Sequence, residues 1–333
     1  MNSPLNVAVF SSKPYDKRTL LKHDNNPNIQ LTFFESRLSE ETVSLVSQFD
    51  AVSCFVNDQL NHKVIKALKA AGVNAIALRC AGYNNVDLNA AKEIGIKVYH
   101  VPDYSPTSVA EHAVALILTL NRKTHKAYQR VKEGNFALEG LMGFNLAGKT
   151  VGCIGTGRIG LAFAKIMLGF GCNVLCYDPE PDPELHSLGV SYVALEELYC
   201  QSDIISLHCP LTKATHHLID TASLQKMKDG VMLINTSRGA LVNAQSAVKA
   251  LYDGKIGALG LDVYEDEGSL FFEDMSEQII LDSVFQLLLT FPNVIVTGHQ
   301  GYFTDIALDH IAETTLENLE THRLNQPSER QLF

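Results

Sequence analysis

The sequence predicts an α/β fold with two doubly wound parallel-sheet domains, and three observations carry that prediction. Short apolar runs alternate with helix-patterned segments from end to end. This is the rhythm of βαβ units, whose parallel strands are joined by crossover helices covering both faces of the sheet. A glycine signature, Gly155-Thr-Gly-Arg-Ile-Gly160, sits between an apolar run and a helical pattern near mid-chain. The chain has 333 residues, 46% of them hydrophobic, which exceeds one ordinary domain and suffices for two cores.

Taken in order, Asn6–Phe10, Ile29–Phe34, Ala51–Val56, Asn74–Leu78 and Ile96–Val101 read as strands, with Asn61–Ala71 as a helix before the fourth. Thr107–Glu133 runs without glycine or proline up to Gly134, with Thr107 or Ser108 as N-cap and Glu111 in the first turn. It is expected as one long helix, able to carry the chain from one domain to the next. A second series follows: Thr150–Ile154, Asn173–Asp178, Ile204–His208, Val231–Asn235, Ala258–Asp262 and Val294–Thr297. Six strands suit a complete dinucleotide-binding sheet. Thr304–Leu324 closes the chain as a helix, mostly polar on one face.

Charge and composition exclude several classes. A formal net charge of −10 argues against nucleic acid or an anionic membrane as partner, though not against a small anionic substrate held in its own pocket. Met1–Phe10 lacks the charged start of a signal peptide, and no apolar run reaches the ~20 residues of a spanning helix. A soluble, cytoplasmic protein is expected. Seven cysteines without a C-x-x-C pair read as mostly buried free thiols. No H-E-x-x-H, zinc-spaced Cys/His set or G-x-S-x-G occurs. His216 and His217, being adjacent, would point apart on a regular element, so no metal site is expected. His208, ending a strand, reads as packing on the cofactor side.

The glycine signature has its required context. It follows Thr150–Ile154 and opens the helical stretch Ile159–Phe170. Gly155 would make the tight turn, Gly157 would admit the pyrophosphate, and Gly160 would let helix and strand pack closely. Free N–H groups at the helix start, with Arg158 beside them, would meet the phosphates. Asp178, eighteen residues after Gly160 at the end of the next strand, suits the ribose hydroxyls and repels a 2′-phosphate, so NAD is expected over NADP.

Three later strand ends carry groups fit for hydride chemistry on a keto acid. Such chemistry needs a cation for the carboxylate, a proton donor for the carbonyl oxygen, and a partner that keeps the donor protonated. Arg238 follows Val231–Asn235, an acidic run through Glu265, Asp266 and Glu267 follows Ala258–Leu261, and His299 follows Val294–Val296. Singly, each has a bland structural explanation. Together, past strands of one sheet, they converge on one crevice.

With these residues in view, the chain resembles the D-isomer-specific 2-hydroxyacid dehydrogenase family over nearly its whole length. The carrying motifs are Arg79-Cys-Ala-Gly-Tyr-Asn-Asn-Val-Asp87, Val101-Pro-Asp-Tyr-Ser-Pro106, the glycine signature, Leu207-His-Cys-Pro-Leu-Thr212, Asn235-Thr-Ser-Arg-Gly-Ala-Leu-Val242, Leu261-Asp-Val-Tyr-Glu-Asp-Glu267 and Gly298-His299. The resemblance implies a Rossmann NAD-binding domain of about residues 101–299 inserted into a flavodoxin-like substrate domain of residues 1–100 and 300–333, with the active site in the cleft. It implies that Arg238 binds the substrate carboxylate and polarises the carbonyl, that His299 is the acid/base, and that Glu267 holds His299 and raises its pKa. Backbone amides of Ala81 and Gly82, with Tyr104, would hold substrate from the other domain. Besides the glycine loop and its Thr156, the residues Arg158, Ile159, Asp178, Cys209, Pro210, Thr215, Thr236, Ser237 and Asp262 match NAD-contacting positions.

Many members of the family carry a proline directly after the catalytic glutamate. Here the run is Glu267-Gly-Ser-Leu-Phe-Phe-Glu273. That run, Glu139-Gly-Leu-Met-Gly-Phe144 and Cys80-Ala-Gly-Tyr-Asn-Asn85 are similar to the lactate-forming branch of the family. The implied activity is fermentative, NADH-dependent reduction of pyruvate to D-lactate. A dehydrogenase of a bulkier D-2-hydroxy acid and a non-catalytic NAD-sensing protein remain alternatives at this point. A homodimer or homotetramer is expected, with Asn121–Glu133 and Ser269–Asp282 as candidate surfaces.

Overall fold

The computed structural model describes residues 4–333; the first three residues of the Met1–Phe10 stretch lie outside it. The chain forms two compact units. One runs to Ser105 and resumes at Phe303, and the other is Pro106–Tyr302.

The first unit holds a five-stranded parallel sheet. Its strands are β1 (Leu5–Val9), β2 (Ile29–Phe33), β3 (Ala51–Cys54), β4 (Ala75–Leu78) and β5 (Lys97–Tyr99), in the order β2-β1-β3-β4-β5. β3 and β4 are buried along their whole length, as central strands covered on both faces must be. The helices α1 (Pro14–His23), α2 (His62–Ala70) and α3 (Leu88–Ile94) connect them. Asn61 and Asp87 cap α2 and α3 through side-chain oxygens that accept from Val64 N and Ala90 N. The C-terminal helix Asp305–Arg323 returns to this unit and adds Ala312, Leu316 and Leu319 to its core.

The second unit begins with α4 (Pro106–Arg122) and α5 (Thr124–Lys132). One continuous helix was expected over Thr107–Glu133, and the structure corrects this. Proline takes the first turn, where its missing N–H costs nothing. The helix then breaks at Lys123, which adopts φ 51°. Just before the break, buried Asn121 donates to Phe144 O and accepts from Phe144 N, at 2.8 Å each. That side chain ties the end of α4 to a distant loop, a tertiary cause invisible to local pattern. α4 also lies wholly within this second unit, rather than carrying the chain from one unit to the other.

The strands of this unit are β6 (Thr150–Ile154), β7 (Asn173–Tyr177), β8 (Ser191–Tyr192), β9 (Ile204–Leu207), β10 (Val231–Asn235), β11 (Ile256–Leu261) and β12 (Val294–Val296). All pair in parallel, in the order β12-β11-β10-β9-β6-β7-β8. The sheet has seven strands where six were expected. The extra one, β8, is a two-residue edge strand too short to show as an apolar run. Strand order reverses between β6 and β9, and such a switch point opens a crevice beyond the strands' C-terminal ends. Two apolar clusters cover the two faces of the sheet. No helix of the described residues is long and apolar enough to cross a membrane. All seven cysteines are free, six of them buried, and Cys200 is exposed.

Candidate active site

The glycine loop lies at the switch point. Gly155 follows β6 at φ 95°, and a Cβ there would stand 2.6 Å from Cys209 N and His208 C. Only glycine fits a backbone pressed against its neighbour strand in this conformation. Gly157 is the N-cap of α6 (Arg158–Gly169) and has nothing within 4 Å of its ideal Cβ, which leaves room for a phosphate at the helix N-terminus. At Gly160 a Cβ would fall 2.0 Å from Gly155 O, so this residue sets the close approach of helix and turn. Arg158 is exposed and Ile159 half-buried at the start of α6.

Asp178 follows β7. Its Oδ2 accepts from Thr156 N at 2.6 Å and its Oδ1 from Glu180 N at 2.9 Å. Thr156 is buried, and its Oγ1 accepts from the Tyr192 hydroxyl at 3.0 Å. Across the switch point Ser237 Oγ donates to Cys209 O at 2.7 Å. Burial, with Asp178 nearby, pushes the Cys209 thiol up to about 11, so it stays protonated. Pro210 is exposed; Thr215 Oγ1 donates to Pro210 O at 2.6 Å and is engaged within its own loop. Thr236 Oγ1 is buried with no partner among the described residues. An orphaned hydroxyl past a strand end of the sheet that carries the open glycine turn is what a bound dinucleotide would satisfy. His208 is half-buried, its ring 4.7 Å from that of Phe163, and its Nε2 bonds Ser206 Oγ at 2.9 Å.

Arg238, Glu267 and His299 follow β10, β11 and β12, three adjacent strands. His299 Nδ1 lies 2.8 Å from Glu267 Oε1. An ionised carboxylate only accepts, so Nδ1 carries the proton and Nε2 is left for chemistry. Nε2 has no partner among the described residues, and the histidine side chain is 17% exposed. Glu267 Oε2 accepts from Tyr264 N at 2.9 Å, which fixes the carboxylate. Arg238 is half-buried and spends one donor, Nη1, on Ser237 O at 2.7 Å. Its guanidinium faces no carboxylate among the described residues, which leaves its remaining donors available to an anion. Gly239 links these segments: a Cβ there would lie 2.0 Å from Tyr264 C.

Comparison with known proteins now decides the family. Residues 114–301 match the family model described as D-isomer specific 2-hydroxyacid dehydrogenase, NAD binding domain. The Escherichia coli (strain K12) D-lactate dehydrogenase is 51% identical over 315 residues, covering 95% of this chain and 96% of that protein. Among solved structures, a Chlamydomonas reinhardtii pyruvate reductase superposes with TM-score 0.92 at 45% identity, covering 98% of each chain. An Aquifex aeolicus D-lactate dehydrogenase complexed with NAD and lactic acid superposes at 0.87 and 36% identity, covering 98% of this chain and 99% of that one. The chain belongs to the D-isomer-specific 2-hydroxyacid dehydrogenase family. It is an NAD-dependent oxidoreductase with the two-sheet α/β fold of that family.

In this dehydrogenase the loop bearing His299 hangs on Asp262, which is 1% exposed. Asp262 Oδ1 accepts from Thr297 Oγ1 at 2.5 Å and Gln300 N at 2.9 Å, and Oδ2 from Gly301 N at 2.7 Å. His112 Nε2 of α4 stands 3.2 Å from Oδ1 and 3.0 Å from Thr297 Oγ1. Burial works to raise the carboxyl's pKa, but these hydrogen bonds and His112 outweigh it and hold the pKa below the ordinary range. Oδ2 has a single donor and keeps a lone pair for a further one. Sequence reasoning missed His112, Thr297 and Gly239. A histidine within a largely apolar helix was the one signal for His112; Gly239 needed coordinates.

In the first unit, Ala81 and Gly82 follow β4. Their N–H groups have no acceptor among the described residues. The turn is braced from below by Arg79, 1% exposed, whose Nη2 donates to Phe10 O at 2.8 Å and Nη1 to Ser53 O at 3.1 Å. Tyr104 O bonds His310 Nδ1 at 2.7 Å. The expectation that His216 and His217 point apart is wrong. They sit in a turn, His217 has φ 52°, and the ring centroids are 3.9 Å apart. The argument from regular elements fails because the left-handed residue swings its side chain back beside its neighbour's. A cavity of about 390 Å³ lies at the other end of the sheet, lined by Val231, Gly257 and Lys149 at strand starts, where no catalytic set gathers.

Proposed function

We propose that this dehydrogenase reduces pyruvate to D-lactate, with Pro106–Tyr302 as the NAD-binding domain and the other unit as the substrate domain. The observation that carries the reading is the His299–Glu267 pair at 2.8 Å, with a guanidinium that lacks a carboxylate partner following the next strand of the same sheet. The aromatic run after Glu267 supports a small acceptor, since Phe272 places its ring 5.6 Å from that of His299. The likeness to lactate-forming and pyruvate-reducing enzymes points the same way.

The chemistry NADH supplies when bound is a hydride for the keto carbon. Arg238 pairs with the substrate carboxylate through its remaining donors, a geometry suited to two parallel hydrogen bonds. The amides of Ala81 and Gly82, with Tyr104, are assigned to the substrate as well. As the carbonyl oxygen gains electrons it draws the proton from His299 Nε2, and Glu267 stabilises the imidazolium until that transfer. In the oxidising direction the same nitrogen takes the hydroxyl proton. Asp178 is assigned to the ribose and selects NAD; Gly155–Gly160, Cys209, Pro210, Thr215, Thr236, Ser237 and Asp262 are the other cofactor contacts. Phe136, Leu138, Met142, Ile279 and Leu281 are each more than 70% exposed, which supports a homo-oligomer. The test is NADH oxidation across pyruvate, phenylpyruvate and 2-ketoisocaproate, followed by product chirality. Pyruvate is expected to give the highest kcat/KM and the D product. A preference for either bulky acid, or an L product, would overturn the assignment.

A further inference from the structure

We propose that His216, His217 and Glu265 form a binding site for a divalent transition cation of the zinc class, separate from the catalytic set. Each of the three offers one ligand atom, and these atoms lie within 4.8 Å of one another. Two imidazoles and a carboxylate suit zinc, cobalt, nickel or copper, whereas magnesium and calcium favour all-oxygen sites. Three protein ligands leave further positions for water.

The backbone holds the donors before any cation arrives. His217 N donates to Ala240 O at 2.8 Å and His216 N to Thr212 O at 2.9 Å. The left-handed φ of 52° at His217 brings the adjacent rings together. Glu265 is carried on the segment against which Gly239 packs without a Cβ. His217 Nε2 and Glu265 Oε1 already form a direct hydrogen bond, so a cation would take the place of the bonded proton. Asn243 Nδ2 stands 3.4 Å from His217 Nδ1, where a ligated imidazole would carry its own proton. A donor in the place of the usual acceptor weakens such sites by about 10–100-fold, so the affinity is expected to be micromolar rather than nanomolar. His216 is exposed, which gives the cation a path in.

The experiment is titration of the EDTA-treated, full-length protein with zinc chloride by calorimetry and with cobalt chloride by visible absorption. One equivalent is expected to bind, with a cobalt spectrum of nitrogen–oxygen ligation in four or five coordination. His216→Ala is expected to lose at least about tenfold in affinity and to abolish the rise in melting temperature that zinc produces. His186→Ala, at a histidine outside the cluster, is expected to change neither. Because His216 is exposed, its variant should fold, and circular dichroism checks this. Absence of binding at about a hundred micromolar, or a cobalt spectrum and affinity retained in both His216→Ala and Glu265→Gln, would overturn the site.

Discussion

His208 shows how a residue's surroundings set its charge. Its ring packs against Phe163 of α6, and loss of solvent around it pushes the imidazole down from an ordinary 6.5 to about 3. Below pH 6.5 the unfolded chain takes up a proton at this position while the native one does not. Folding stability is therefore present in full above 6.5 and falls by about 1.4 kcal/mol per pH unit as the pH drops toward 3. Urea denaturation of His208→Gln and the parent should show their stability gap narrowing by about 2–3 kcal/mol between pH 7 and 4.5; parallel curves would contradict the neutral assignment. Asp178 makes a second residue-level case. In its proposed role as ribose partner its charge-assisted bonds would be worth about 1.5–3 kcal/mol, so Asp178→Ser should shift the NADH-to-NADPH ratio of kcat/KM by about 10–100-fold toward NADPH. Because Asp178 also holds Thr156 N, KM should rise for both cofactors.

At the scale of elements, the site depends on where three strand ends stop and what ties their loops together. Asp262 collects the loop after β12 through Thr297, Gln300 and Gly301, and Gly239 lets the loop after β10 lie against the segment after β11. A methyl group at Gly239 would enter backbone rather than a yielding side chain. Gly239→Ala should therefore cost about 1–3 kcal/mol of stability and lower kcat/KM for pyruvate more than it weakens NADH binding, as read by steady-state kinetics beside a fluorescence titration. The strands and the three catalytic candidates were legible because parallel strands are continuous apolar runs and active groups follow their ends. The break at Lys123 and the tie through Asn121 were not, since a lysine in left-handed backbone has no sequence mark. The two adjacent histidine rings were misread for the same reason: their placement comes from one positive φ at His217.

Over the whole molecule, two sheets with separate cores share one chain that leaves the first unit at Ser105 and re-enters it at Phe303. The glycine signature at mid-chain was legible in the sequence, but the insertion itself was an expectation from the family resemblance, and the packing of the last helix with Leu5 and Leu20 needed coordinates. The negative overall charge is no obstacle to an anionic substrate, because a pocket sets its own local potential and Arg238 faces no carboxylate among the described residues. The account rests on His299 as the acid/base, and the most direct measurement is turnover of the intact His299→Gln enzyme with pyruvate, set beside its NADH affinity. The account predicts NADH binding within about twofold of the parent and kcat lower by about 10²–10⁴-fold. Turnover within a few-fold of the parent, with NADH binding intact, would contradict it.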